Sequence, residues 1–225
     1  MTKQTMAETN LLRVNGGSLS HDSNVLLADI LAYLPVAYAD VVRKVLFENR
    51  AMQRADAGVS VYAADVNQSL YHTMTVTPAL ESTRQVYYAD LPHVLLDLPG
   101  AWAMGYAQPV AAQDSPYAKI ANPSMIAGDP LLGKITPYIW WETKVNDAGD
   151  QVSRIYFSTM LMPVCDVLVA AIVGIENFGE TDHIPGGKTV DAQIIDRCVQ
   201  HFQGQRGVPT PGINNEADSN DNNQR

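Results

Sequence analysis

The stretch KITPYIWWETKVNDAGDQVSRIYFSTMLM, residues 134–162, carries the clearest structural signal in the chain. Its first half alternates two sets of side chains, and a period of two places each set on one face of a β-strand. One set is Ile135, Ile139, Trp141, Thr143 and Val145, and the other is Tyr138, Trp140, Glu142 and Lys144. The residues NDAGD supply a turn, and the second half returns with β-branched and aromatic residues. The stretch therefore predicts a β-hairpin that belongs to the core.

Two adjacent aromatic pairs, Trp140-Trp141 and Tyr87-Tyr88, raise the question of binding, because such rings can stack on bases or sugars. Neighbouring residues of a strand, however, point to opposite faces of the sheet. We therefore expect one ring of each pair to lie in the core and the other at the surface or in an interface. Trp141 shares its face with Ile139, so it is expected to be more buried than Trp140.

Helical periodicity is found on both sides of this region. Residues 24–55 carry apolar side chains at spacings of three and four, which indicates a long helix. Pro35 interrupts the pattern and predicts either a kink or two helices. Between 59 and 98 the residues indicate short strands, whereas 164–175 fit a buried strand or a short buried helix. A final helix has one apolar face, which consists of Val190, Ile194, Ile195, Cys198, Val199 and Phe202.

These elements predict an α+β fold, in which N-terminal helices and a C-terminal helix pack on a mainly antiparallel sheet. We expect a polar N-terminal arm at residues 1–23, a single domain at 24–207 and a polar C-terminal tail at 208–225. The tail is low in complexity and too polar to bury a core of its own. Within the domain, residues 99–133 form a long Pro/Gly-rich excursion.

The excursion is unusually apolar for a loop. Its prolines exclude a helix, and an irregular segment of this length is usually functional. Large apolar side chains in such a segment mark an interaction surface, so we predict that it contacts neighbouring subunits. The candidate interface residues are Trp102, Met104, Tyr106, Tyr117, Ile120 and Met125.

Gly187, Lys188 and Thr189 resemble the end of a phosphate-binding loop. Such a loop needs a glycine five residues before its second glycine, so that backbone amides can surround the phosphates. Asp182 occupies that position, and its carboxylate would repel phosphate. Pro185 removes a further amide donor. The sequence therefore favours a Pro-Gly-Gly turn that leads into a helix, with Thr189 as the helix cap.

The other reactive residues give no catalytic or metal-binding pattern. The five histidines are scattered, and no pair has the spacing of a metal site. Cys165 and Cys198 form no metal motif and are expected to be buried thiols, with a disulfide as the less favoured alternative. No cofactor is predicted. The competing hypothesis is an enzyme or small-ligand-binding domain with a site near Asp182, His183 and Lys188.

Charge and composition narrow the class of partner. The formal net charge of −9 argues against direct binding to nucleic acid or to an anionic membrane. Charged residues make up 17% of the chain, below the usual value of roughly 25%, and only six are lysines. Because lysine is depleted in interfaces, this composition hints that much of the surface is covered in use.

We therefore expect a structural subunit of a large assembly without enzymatic activity. A phage or virus particle component, such as a neck, tail or capsid-associated protein, fits best. Its partners would be copies of itself and other assembly subunits. The polar start MTKQTMAETN resembles no secretion signal, and the longest apolar run is too short to cross a bilayer. The protein would be cytoplasmic during assembly and then part of the virion.

Overall fold

The computed structural model describes residues 1–16, 25–55, 69–81, 86–99, 102–112, 116–119, 137–145, 149–160 and 165–206. These residues form three α-helices, one short 3₁₀ helix and eight strands. The helices are α1 (Lys3–Val14), α2 (Leu27–Ala55) and α3 (Gly187–Arg206), and the 3₁₀ helix is Ile175–Asn177. The strands are β1 (His72–Val76), β2 (Ala79–Glu81), β3 (Val86–Asp90), β4 (Met104–Pro109), β5 (Ala118–Lys119), β6 (Tyr138–Val145), β7 (Gln151–Phe157) and β8 (Val167–Ala171).

The strands form two sheets. One has three strands in the order β1-β8-β4, and the other has five in the order β2-β3-β7-β6-β5. Every pairing is antiparallel except that of β5 with β6. One continuous core joins buried residues of both sheets with α2 and α3. The chain is an α+β protein with mainly antiparallel pairing, as predicted, although the described strands form two sheets and not one.

The predicted hairpin is formed by β6 and β7. Ile139 lies opposite Phe157, and Trp141 lies opposite Ile155. The side chains of Ile139, Ile155 and Phe157 are fully buried, and Trp141 packs against the same core. Trp140 lies on the opposite face, so the assignment of faces is confirmed. Both tryptophans are half-buried, so the prediction that Trp141 is the more buried of the two stays untested.

Strand β8 settles the ambiguity at residues 164–175. It lies between β1 and β4, at the centre of the three-stranded sheet. Val167, Val169 and Ala171 are fully buried, and Ile172 continues the run. A strand that is covered on both faces is a continuous apolar run without alternation, which is why periodicity could not identify it.

The predicted excursion at 99–133 is in part ordinary internal structure, which corrects the sequence-based view. Residues Met104–Pro109 form strand β4 and pair with β8. Met104 is fully buried, and Tyr117 is 3% exposed. Pro109 ends the strand at the sheet edge, where a missing amide donor is tolerated. The segment therefore contains a strand, which its prolines do not exclude, and residues 120–136 lie outside the described part.

The predicted N-terminal arm at 1–23 is also corrected, because residues 3–14 form helix α1. Thr2 caps it, with the Thr5 amide donating to the Thr2 hydroxyl at 3.2 Å. Met6, Ala7 and Val14 are buried. Their spacing is helical, but the polar residues between them obscured the signal. Residues 17–24 and the predicted tail at 208–225 lie outside the described residues.

The two long helices follow the sequence prediction closely. Pro35 lies inside α2, which continues through it, so the alternative of two helices is wrong. In α3 the predicted apolar face is buried except for Val199, which is half-buried. Cys198 belongs to that face, and burial raises the pKa of its thiol to about 12. Neither Cys165 nor Cys198 forms a disulfide, so the disulfide alternative is wrong. Cys198 is buried as expected, whereas Cys165 is only half-buried.

The Pro-Gly-Gly turn begins α3, as predicted, but Thr189 is not its cap. Gly186 and Gly187 have backbone φ values of 131° and 69°, which residues other than glycine rarely adopt. A Cβ atom on Gly186 would lie 2.7 Å from Cγ1 of Val190. Since the helix starts at Gly187, Thr189 lies in its first turn and is not the cap. The glycines thus meet a backbone requirement of the turn.

We predict that Gly186→Ala lowers the free energy of unfolding by about 1–3 kcal/mol, because it forces a residue with a Cβ into glycine-only backbone geometry. The matched control is Gly204→Ala in the same helix, where a Cβ meets nothing within 4 Å. Alanine in a helix interior stabilises by about 0.5–1 kcal/mol relative to glycine. Urea denaturation followed by circular dichroism measures both values. Equal stability of the two variants would contradict the strained-turn account.

Candidate interaction surface

The six candidate interface residues differ in how far the structure exposes them. Met104 and Tyr117 are buried in the protein's own core, so they are not available to a neighbouring subunit. Trp102 is half-buried and packs against that core. Tyr106 is 38% exposed and remains on the surface. The two others, Ile120 and Met125, lie outside the described residues.

The residues of the alternative site, Asp182, His183 and Lys188, lie in the loop before α3 and in its first turn. All three side chains are exposed. Asp182 serves the local turn, because its carboxylate accepts a hydrogen bond from the Gly179 amide at 2.8 Å. His183 forms an isolated backbone bridge with Thr2. Both of these contacts have structural roles.

A polar cleft of about 330 Å³ lies elsewhere, between α2 and α3. The guanidinium of Arg197 donates to the Asp40 carboxylate across it at 2.9 Å. Lys44 lines the same cleft, but its side chain is 66% exposed. The cleft is therefore open and shallow, and its main polar pair is already satisfied within the protein.

A second cluster contains two histidines. The rings of His72 and His93 lie edge to face with centroids 5.2 Å apart, and both contact Phe178. Burial lowers the pKa of His72, and the neighbouring His93 lowers it further.

Among the described residues, no three His, Cys, Asp or Glu side chains are grouped as metal ligands. In the same part of the chain, no helix is long and apolar enough to cross a membrane.

The most distinctive surface is the face of the five-stranded sheet that points away from the main core. Strand register places its side chains in rows that run across β3, β7 and β6. We call this surface the outer sheet face. It consists of Tyr88, Asp90, Tyr138, Trp140, Glu142, Lys144, Arg154 and Tyr156.

One row of the outer sheet face is aromatic. Tyr156 lies opposite Tyr88 on one side and Trp140 on the other. The rings of Trp140 and Tyr156 are stacked, with centroids 5.2 Å apart and planes 10° from parallel. Tyr138 adds a tilted ring at 5.7 Å from Trp140. Tyr156 is fully buried although it faces away from the main core, so these side chains form a small second core.

The next row is ionic. Arg154 lies between Asp90 and Glu142, and its Nη2 donates to Oδ2 of Asp90 at 2.9 Å. Its guanidinium also lies over the Tyr88 ring, 4.3 Å from the centroid, in a cation–π contact. The hydrogen bond to Asp90 is the main reason why the pKa of Arg154 is raised. The guanidinium is thus held in place by two neighbours.

Lys144 completes the ionic groups of the outer sheet face. Its ammonium donates to the hydroxyl of Tyr156 and lies 3.3 Å from the Glu142 carboxylate. The hydrogen bond to Tyr156 is the largest cause of a raised pKa at Lys144. The ammonium also lies 5.0 Å from the centroid of the Tyr156 ring. Two acids and two bases therefore lie beside the aromatic row, and the charges of these four groups sum to zero.

The sequence had indicated part of this surface. On alternation alone it predicted that Trp140 is the less buried ring of its pair, and that one ring of the pair Tyr87-Tyr88 lies at the surface or in an interface. It missed Tyr156 and Arg154, because their roles depend on which strand residues lie opposite each other. The sequence did contain one signal for them. Arg154 and Tyr156 alternate with the apolar Ile155 in the returning strand, which would place them together on the face away from the core.

Comparison with known proteins adds no identification. No protein-family model matches the chain, and no curated protein matches it either. Its function must therefore be argued from the chain's own residues.

We predict that Tyr156→Ala costs about 3–5 kcal/mol of unfolding free energy, as for other buried aromatic residues. Tyr156→Phe keeps the stacked ring and removes only the hydroxyl that Lys144 contacts, so it should cost about 1 kcal/mol. Chemical denaturation of both variants gives the comparison. If the alanine variant were as stable as the phenylalanine variant, the aromatic row would not be a packed second core.

Proposed function

We propose that the chain is a non-enzymatic structural subunit of a large protein assembly and that the outer sheet face is one of its contact surfaces. The observation that supports this is the composition of the face. Trp, Tyr and Arg are the residues most enriched in protein interfaces and among their energetic hot spots. Here Trp140, Tyr88 and Arg154 occur together on one face of one sheet.

The rigidity of the face also favours a role in binding. A partner that binds a flexible surface must offset the entropy of ordering its side chains, at about 0.5–1.5 kcal/mol for each long side chain. On this face, Arg154 is held by Asp90 and Tyr88, and Trp140 is held by stacking on Tyr156. Much of that ordering is therefore complete before a partner arrives.

Further exposed apolar side chains support more than one contact surface. Leu26 is 62% exposed, Phe47 66% and Val145 67%. They lie on the helical part and at the end of β6, apart from the aromatic row. A subunit inside an assembly touches several neighbours, whereas a pairwise complex needs one interface.

Within this proposal, a phage or virus particle component is the assembly that we favour. Low lysine content and few charges suit a surface that is largely covered by neighbours. The protein would assemble in the cytoplasm and remain in the virion. The support that the sequence drew from the apolar excursion is reduced, because Met104 and Tyr117 are buried within the protein itself. The main support for the proposal is therefore the outer sheet face.

The test is light scattering and electron microscopy of the purified chain, with the variant Arg154→Glu. We expect species larger than a monomer in the unmodified protein and fewer of them in the variant. The control is Arg13→Glu, which reverses another arginine whose Asp196 partner lies 3.1 Å away. It should leave assembly unchanged. Circular dichroism confirms that both variants are folded, and a monomer at every concentration would refute the proposal.

A further inference from the structure

We infer that the partner of the outer sheet face is the same face of a second copy of this chain. This inference rests on the proposed function and makes it more specific. It commits to a two-fold contact, in which each copy contributes the same residues. The argument depends on the charge pattern, the order of the rows and the size of the face.

Charge balance is the first reason. Two copies of a chain with a formal charge of −9 repel each other, so an acidic patch could not serve as a contact between them. Across β3, β7 and β6 the outer sheet face instead carries two acids and two bases, all partly open to solvent, and Glu81 on β2 adds one acid at its edge. Asp90 is 46% exposed, Glu142 44%, Lys144 37% and Arg154 28%, measured on their side chains. A locally neutral, mixed patch is complementary to itself.

Row order is the second reason, because it fixes a register. The ionic row reads acid, base, acid from β3 through β7 to β6. A two-fold axis that runs along the strands between β6 and β7 places β7 of one copy over β6 of the other. Arg154 then faces Glu142 of the second copy, and Glu142 faces its Arg154. The same operation places the aromatic row of one copy over that of the other. Because Tyr156 is fully buried, the half-exposed rings of Trp140 and Tyr88 are the ones available to meet the second copy.

An axis along β7 itself gives the opposite result. Arg154 would then face its own equivalent, and Asp90 would face Glu142 of the second copy. Like charges directly opposite each other repel and disfavour an interface. The ionic row therefore favours a two-fold axis between β6 and β7 over an axis along β7.

The size of the face determines how strong the contact is. Strand β7 has seven residues, which at about 3.4 Å each gives a length of about 24 Å. Five strands about 4.8 Å apart span about 19 Å. The projected area is at most about 450 Å² per copy, whereas a standard interface buries about 800 Å² on each partner. The contact alone should thus be weak and reversible, as one of several contacts in an assembly.

The experiment uses a charge swap between two variants of the full chain, Arg154→Glu and Glu142→Arg. Each variant alone places like charges across the two-fold contact, so we expect its self-association to weaken by about tenfold or more. In an equal mixture, opposite charges meet again at both positions, and a mixed dimer should form. Sedimentation velocity at about 100 µM protein detects the weak contact, and native mass spectrometry identifies the mixed dimer.

The mixture of the two variants is the decisive measurement, because each variant has the same internal contacts in the mixture as it has by itself. Restored association therefore reports on contacts between copies and not on folding. The controls are Arg13→Glu and Asp196→Arg, which exchange an exposed pair outside the face. Neither should change association, alone or mixed.

The outcomes separate this inference from the proposed function. Large assemblies that persist in both face variants would overturn the two-fold contact and leave the structural role intact. A dimer that follows the charge swap but never grows beyond two copies would support the contact and overturn the larger assembly. An unmodified protein that sediments as a monomer at the highest concentration would overturn both.

Discussion

The structure depends on the position of β7 at the centre of the five-stranded sheet, between β3 and β6. Both edges of β7 are hydrogen-bonded to neighbouring strands, and side chains on both of its faces are buried. Ile155 and Phe157 enter the main core, whereas Tyr156 is fully buried on the other side. The chain thus has to supply a second, small core on a face that antiparallel sheets usually leave polar. The aromatic and ionic rows of the outer sheet face follow from that requirement.

This requirement explains why the outer sheet face is both stable and suited to binding. The ring of Tyr156 is covered by Trp140 and by the alkyl chain and ammonium of Lys144. These covering groups remain half-exposed, and their other sides face solvent. A rigid aromatic surface with paired charges is therefore present in the single chain, and a second copy can cover it without prior rearrangement. The same residues link stability of the monomer to its proposed assembly.

The sequence predicted an element correctly where its own apolar pattern is strong, and not where that pattern is diluted or where two elements must meet. Alternation in residues 134–162 was sufficient to assign the faces of β6, and helical spacing was sufficient for α2 and α3. Helix α1 was missed because its buried stripe, Met6, Ala7 and Val14, is diluted by polar residues. Strand β4 was read as an excursion, because its burial is set by pairing with β8 and leaves no local trace. Alignment of Tyr156 with Trp140 likewise follows from strand register, which the sequence alone does not fix.

The central claim is that the outer sheet face becomes covered when copies of the chain associate, and hydroxyl-radical footprinting tests it most directly. Trp140 and Trp141 are neighbours on β6, both half-buried, but only Trp140 lies on that face. The measured quantity is the ratio of their oxidation in dilute and in associated protein. The account predicts that this ratio falls several-fold on association, because Trp140 becomes covered while Trp141 is unchanged. A constant ratio in protein that has demonstrably associated would contradict it.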